Sequence, residues 1–254
     1  MLKKSLLVLA TLGSALPAVS FAQDASPLSF NLGAVTDYRY RGISQTRFEP
    51  ALQFGADLAL PAGFYIGTWG STIKWIRDSG GDSTVEIDVY AGWKKEVVSG
   101  LTLDVGVLQY IYPDAETPAW SSVYDDPNTT EVYGAVTYGP ATLKYSHSTS
   151  NLFGNRDSKG SGYLDLSATF SLPEGFSLTP HVGYQKVKGY TSTLSYTDYS
   201  LTLSKDISGT VVSLSFVGTN TKTVPANING HAYYDPSGAN LGKDGVFFGI
   251  KRTF

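Results

Sequence analysis

The chain contains no cysteine, so disulfides and thiolate metal sites are excluded. Its three histidines are scattered and form no metal-site pattern. Nowhere do eighteen apolar residues run uninterrupted, so no helical membrane span is expected. There is no basic excess to recruit nucleic acid, with 19 Lys and Arg against 22 Asp and Glu. The one methionine is the initiator. Helical periodicity is scarce, and no cofactor signature is present, so no cofactor is expected.

What the chain has is glycine (27), tyrosine (17) and alternation at period two. The N-terminus reads as a secretory signal over residues 1–22. Lys3 and Lys4 form its charged region, Leu6 to Leu12 its apolar region, and Ala22 its expected last residue. The remainder, 23–254, reads as one domain. Without Lys3 and Lys4 it has 17 basic residues against 22 acidic ones, a net charge of −5.

Twelve strands are expected in this domain. They start at Leu28, Ala51, Phe64, Thr84, Leu101, Thr130, Thr142, Gly162, Phe176, Tyr196, Thr210 and Gly245. Val85, Ile87, Val89, Ala91 and Trp93 alternate with Glu86, Asp88, Tyr90, Gly92 and Lys94. Leu52, Phe54, Ala56, Leu58 and Leu60 alternate with Gln53, Gly55 and Asp57. In the first strand, read as Leu28 to Arg39, Phe30, Leu32, Ala34 and Tyr38 share the apolar face. In the third, Phe64 to Ile76, two faces compete: Tyr65, Trp69, Ile73 and Trp75, or Phe64 and Ile66 with Ile76.

The connections sort by length. Those near 61–63, 96–100, 139–141, 173–175 and 206–209 are short. Those at 42–50, 77–83, 113–128, 151–161, 187–195 and 220–244 are long, and the two kinds alternate strictly. An even number of strands with long loops at one rim and tight turns at the other is the plan of a transmembrane β-barrel. Lipid cannot hydrogen-bond a backbone, so each strand must pair on both sides and the sheet must close. The fold class is therefore all-β, an antiparallel up-and-down barrel in the bacterial outer membrane. The final strand, Gly245 to Phe254, is expected to pair with the first. Its terminal Phe254 is the expected handle for the barrel-assembly machinery, although Arg252 is unusual there. Lipid and lipopolysaccharide are the expected surroundings.

The motifs Val35-Thr36-Asp37-Tyr38-Arg39-Tyr40-Arg41-Gly42-Ile43-Ser44-Gln45-Thr46, Gly63 to Ser71, Glu86 to Gly92 and Asp104 to Pro113 resemble the TorF porin family. The resemblance spans most of the domain and is densest from 30 to 113. It implies an outer-membrane barrel more firmly than any solute.

The inward residues expected to line a pore are Asp37, Arg39, Asp57, Glu86, Asp88, Asp104, Glu131, Lys144, Asp165 and Lys251, with His181 and Asp198 on the same registers. Two readings stand. An open charged lumen would select among small hydrophilic solutes with a mild cation preference, which Arg39 and Arg41 near one mouth could reverse locally. A filled lumen, locked by ion pairs, would leave no path, since twelve strands fall between filled and open barrels. Loop 113–128 carries Asp114, Glu116, Asp125 and Asp126 without a basic residue. It could hold a divalent cation, fold inward as a constriction, or be a solvated loop. Loop 220–244, the longest, could cover the mouth. Trp69, Trp75, Trp93, Tyr110 and Tyr112 read as interface girdles rather than sugar-stacking platforms.

An enzyme is not expected. A lipid-modifying barrel is the rival from that class, suggested by His147 and Ser148. Adjacent strand residues point to opposite faces, however, and no carboxylate is placed to orient His147. A closed barrel whose loops bind a ligand or lipopolysaccharide is the remaining alternative.

Overall fold

The computed structural model describes residues 26–222 and 233–254. The expected signal segment, the centre of loop 220–244 and His231 lie outside the described residues. Twelve barrel strands follow one another: β1 Leu28–Val35, β2 Ala51–Ala59, β3 Phe64–Thr72, β4 Val85–Val98, β5 Leu101–Ile111 and β6 Thr129–Tyr138, then β7 Ala141–Ser148, β8, β9 Phe176–Lys186, β10 Tyr196–Ile207, β11 Thr210–Thr219 and β12 Gly245–Thr253. Strand β8 is Gly162–Ala168 continued by Phe170–Ser171, both paired with β9. Every strand is antiparallel to the next, and β12 closes onto β1 from Asn31↔Thr253 to Val35↔Gly249. Phe254 completes the seam: its N–H donates to the Phe30 carbonyl at 2.8 Å, and its carbonyl accepts from Phe30 at 3.1 Å. Among the described residues no lateral edge is left to meet lipid, as the physics of a bilayer requires.

The side chains invert the pattern of a soluble protein. Large apolar residues such as Phe30, Leu32, Phe54, Val105, Leu166, Leu201 and Phe248 lie exposed on the outside. Polar and charged residues such as Asn31, Asp57, Glu86, Glu131, Thr202 and Ser215 are buried on the inside. A closed barrel with this apolar outer band is a protein of the bacterial outer membrane.

Tight turns gather at one rim. Pro61–Gly63 and Pro173–Gly175 are near copies, with Ala62 at φ 63° and Glu174 at φ 59°. Each turn is closed by a backbone bond across it, Leu60 to Phe64 and Leu172 to Phe176, both 2.8 Å.

Glycine and tyrosine form a packing device on the inner wall. Tyr90 lies over Gly67, Tyr65 over Gly92, Tyr133 over Gly106 and Tyr163 over Gly183, where a Cβ would strike the ring or hydroxyl. Large rings laid over strand glycines restore the packing that glycine lacks.

Three sequence expectations are corrected. Strand β1 stops at Val35, and Tyr38 turns into the lumen instead of joining the lipid face. Strand β3 presents Phe64 and Ile66 outward, with Tyr65 inward. It stops at Thr72, because Trp75–Asp78 forms a helical turn, α1, that buries Ile76. The girdle reading holds for Trp93, whose Nε1 donates to the Ala62 carbonyl at the short-turn rim. Tyr110 and Tyr112 are instead buried inside, and Trp69 and Trp75 pack against the same inner cluster.

Candidate functional site

The inside of the barrel is organised by the loop that follows β1. Asp37 accepts from Ser44 Oγ at 2.6 Å and pairs with Arg39 Nε at 2.5 Å. That knot closes a two-residue ribbon, Arg39–Tyr40 against Ile43–Ser44. The reversal sits at Arg41 (φ 46°) and Gly42 (φ 80°). Glycine is required at 42 twice over. The backbone is left-handed, and a Cβ would come within 2.8 Å of Asp198 Cβ and also meet Thr219. The ribbon therefore presses against β10 and β11 on the barrel wall.

Arg41 reaches further. One guanidinium nitrogen donates to Gln185 Oε1 on β9 at 2.6 Å. The other donates to both oxygens of Glu131 on β6, at 3.0 and 2.7 Å. The guanidinium also lies over the rings of Tyr40 and Tyr163, 4.8 and 4.3 Å from their centroids. Arg39 Nη1 donates to the carbonyls of Gly42, Leu241 and Lys243 at 2.9 to 3.1 Å. The first loop thus crosses the lumen and is bolted to β6, β9 and the segment before β12. A planar fork with five donors makes arginine suited to such a bridge.

The wall below is acidic on one side and hydroxylated on the other. On β2 to β6, tyrosines donate to the carboxylates: Tyr38 and Tyr112 to Glu86, both at 2.7 Å, Tyr90 to Asp57 at 2.5 Å, and Tyr65 to Asp104 at 2.7 Å. Tyr65 and Tyr133 share a hydrogen bond between their hydroxyls. On β8 to β11 the inward row holds Ser177, Thr179, Thr202, Ser204, Ser213 and Ser215. The same side also holds two acids, where His181 of β9 bonds Asp165 of β8 at 2.9 Å and Tyr163 of β8 bonds Asp198 of β10 at 3.0 Å.

Of the expected inward residues, Asp57, Glu86, Asp88, Asp104, Glu131, Lys144, Asp165 and Lys251 lie on the inner faces of their strands. Lys144 Nζ sits over the Tyr133 ring, 4.3 Å from its centroid. Asp37 and Arg39 are inward too, but on the ribbon rather than on a strand. Sequence reasoning left out Tyr38, Tyr40 and Gln185, and placed Arg41 only near a mouth. The available signal was the aromatic and apolar content between β1 and β2, Tyr38, Tyr40, Ile43 and Phe48, more than a loop in solvent needs.

Loop 113–128 folds inward, but through its aromatic residue. The helix Pro118–Val123, α2, starts at a Thr117 cap and buries Trp120 completely. Asp114, Glu116, Asp125 and Asp126 are exposed. Asp125 faces Arg156 at 3.3 Å, and Asp126 accepts from the Asn128 N–H. No group of three metal-binding side chains occurs among the described residues. A cavity of about 90 Å³ remains between the loops, lined by Tyr40, Trp75, Tyr112, Phe153, Tyr196 and Tyr233 among others. At the outer rim, a hydrogen bond from Lys74 holds the Glu49 carboxyl below its ordinary range. Hydrogen bonds from Ser237, with the Ala239 N–H, do the same for Asp235.

The hydrolase pair is not assembled. His147 lies beside Tyr145 on the outer face, while Ser148 is fully buried inside and donates to the Ser150 carbonyl.

Comparison with solved structures places the fold. The KdgM porin is 9% identical, with a TM-score of 0.54 covering 89% of this chain and 99% of that one. A KdgM porin in complex with disordered oligogalacturonate gives 0.55 at 8% identity, with coverage of 89% and 99%. The NanC porin gives 0.54 at 9% identity, covering 89% and 98%. At such identities the likeness is one of fold. A sequence search of curated proteins finds no match. Of the TorF resemblance, the porin-like outer-membrane barrel stands, while the family whose sequence model matches carries a different description. The chain belongs to Gcw_chp, described as a bacterial protein of unknown function, which matches it over residues 21–254.

Proposed function

We propose that the protein is a narrow outer-membrane channel for passive diffusion of small hydrophilic solutes, constricted by its first loop. One observation carries this reading: polar and charged side chains recur along the inner wall among its inward aromatics, from Ser148 and Glu86 to Ser177 and Asp104. A barrel serving only as a membrane anchor has no need of charge along its axis, since each buried ion costs several kcal/mol unless matched. The TorF resemblance of Val35 to Thr46 supports the same reading. Its motif is the constricting ribbon itself. Lipopolysaccharide around the long loops and the assembly machinery at Phe254 are the partners this reading implies.

Conductance of the refolded chain in planar bilayers is the test, run beside Arg41→Ala. Small unitary steps in the wild type, enlarged in the variant, are expected. No steps from either across several salts rejects the channel. The bolt on the first loop favours a second reading, a barrel permanently shut whose loops bind a ligand, and that reading predicts silence from both.

A further inference from the structure

The lipid-facing side of the barrel carries a basic sector at the long-loop rim. Across β7, β8 and β9 the last outward row reads His147, Gly162 and Lys186, since both His147 and Lys186 pair with Gly162. Lys186 is exposed and His147 half-buried. One step nearer the loops, Gly160 (φ 88°) lies between His147 and Lys188. A point over it, where a Cβ would stand, is 3.7 Å from Lys188 Nζ and 3.9 Å from His147 Cε1. Tyr145 lies over Gly162, with its hydroxyl 3.5 Å from His147 Nδ1. The middle strand thus adds no side chain of its own, and a shallow recess is left between the imidazole and the lysines.

No acid answers these groups. Neither lysine forms an ion pair among the described residues. Loop 187–195 contains no Asp or Glu. Asp157 approaches that loop through its backbone carbonyl, Asp125 faces Arg156, and Asp244 accepts from the Tyr199 hydroxyl at 3.0 Å. Other strands end at this rim in uncharged outward residues: Leu52, Thr72, Val85, Ile111 and Thr130. Directly below the basic row, Leu143, Leu164 and Val182 are exposed toward hydrocarbon.

A lone boundary lysine needs no explanation beyond its snorkelling stem. Two lysines and an imidazole around one recess suit an anion with several acceptor oxygens, and the apolar wall beneath suits acyl chains. Long loops face the cell exterior in such barrels, so this row meets the outer leaflet. We infer that the sector seats the phosphorylated head of lipid A, the membrane anchor of lipopolysaccharide, with its chains on Leu143, Leu164 and Val182. The seat depends on the outer-membrane location and not on an open lumen.

Native mass spectrometry of the folded barrel in detergent, with a chelator to strip bridging metal ions, counts bound lipid. The wild type is expected to hold bisphosphorylated lipid A. Apparent affinity should weaken at least tenfold in Lys186→Gln with Lys188→Gln, from about fivefold per lysine at an anionic surface. Lipid A stripped of both phosphates should bind the wild type as weakly. Arg77→Gln, at an exposed arginine outside the sector, should change nothing. The fold of each variant is verified by the boiled-to-unboiled gel shift. Equal binding of the stripped lipid, full retention by the double variant, or an equal loss in Arg77→Gln each overturns the seat. So does displacement of the lipid by inorganic phosphate, which would mark a site for the free anion. No arm requires conductance, so a silent barrel that holds the lipid would overturn the channel and leave the seat standing.

Discussion

Arg41→Ala tests the bolt directly. The substitution removes three hydrogen bonds, at 2.6, 3.0 and 2.7 Å, and two ring contacts. It leaves Glu131, 1% exposed, as a buried carboxylate without its arginine, held only by the Tyr110 hydroxyl at 3.3 Å. Removing one partner of a buried pair costs about 3–5 kcal/mol, mostly from the charge left behind. That cost falls on the inward state alone, because a ribbon swung outward admits water to Glu131. With about 1.4 kcal/mol per factor of ten, the lower figure shifts the open population by on the order of a hundredfold. Hydrogen exchange should report it at the Ser44 and Gln45 amides, which bond the Leu241 and Tyr38 carbonyls at 2.9 and 2.7 Å. Protection there should fall while the strand amides keep theirs. Adding Glu131→Leu removes the stranded charge and should restore much of the protection. If Arg41→Ala keeps full protection at Ser44 and Gln45, the Asp37–Arg39 knot and the aromatic packing hold the ribbon without the bolt.

Three further expectations follow from packing and charge. Gly106→Ala would put a Cβ 2.6 Å from the Ala91 carbonyl and against the Tyr133 hydroxyl. Overpacking of that kind costs about 1–3 kcal/mol, and the temperature at which the gel shift is lost should fall. Trp120→Ala empties the anchor of α2 at a cost of about 3–5 kcal/mol, and protease should then cut loop 113–128 while sparing the barrel. Asp235 should titrate below the ordinary carboxylate range because Ser237 and the Ala239 N–H bond its ionised form. A depressed carboxyl stabilises its turn above the unfolded value, near 3.9, and loses that contribution as pH falls through the folded value. A carboxyl-carbon NMR titration with a midpoint at or above 3.9 would contradict it.

The barrel was legible because lipid imposes a simple code. β4 alternates Val85, Ile87 and Val89 with Glu86, Asp88 and Tyr90, and every member lies on its expected side. Loop sorting then gave strand number and closure without any pairwise contact. The ribbon was not legible for a related reason. Tyr38 falls in phase with Phe30 and Leu32, so period two assigns it to lipid, and nothing local marks that the strand has ended at Val35. Tyrosine is also ambiguous in a barrel. Tyr110 and Tyr112 suit an interface girdle and a lumen hydrogen-bond donor equally well, and only the carboxylates opposite, Glu131 and Glu86, decide. The acids of loop 113–128 drew attention by charge, whereas the loop's position is set by the burial of Trp120.

The bolt and the acidic wall have a joint consequence. In the inward state Arg41 cancels Glu131, and the ribbon's other arginine, Arg39, is already cancelled by Asp37 on the same ribbon. Swinging the ribbon out therefore withdraws one uncompensated positive charge from the lumen, because Asp37 and Arg39 leave together. Glu131 then stands as an uncompensated carboxylate facing the path, in a medium where field lines are confined by lipid. Opening and cation preference should consequently rise together. Arg41→Ala, which mimics that withdrawal, should move the reversal potential in a potassium chloride gradient toward the potassium value relative to wild type. Arg41→Ala with Glu131→Gln removes the stranded charge as well, so it should open less than Arg41→Ala alone and return the reversal potential toward the wild-type figure. A reversal potential equal in all three would mean that Glu131 does not face the conducting path.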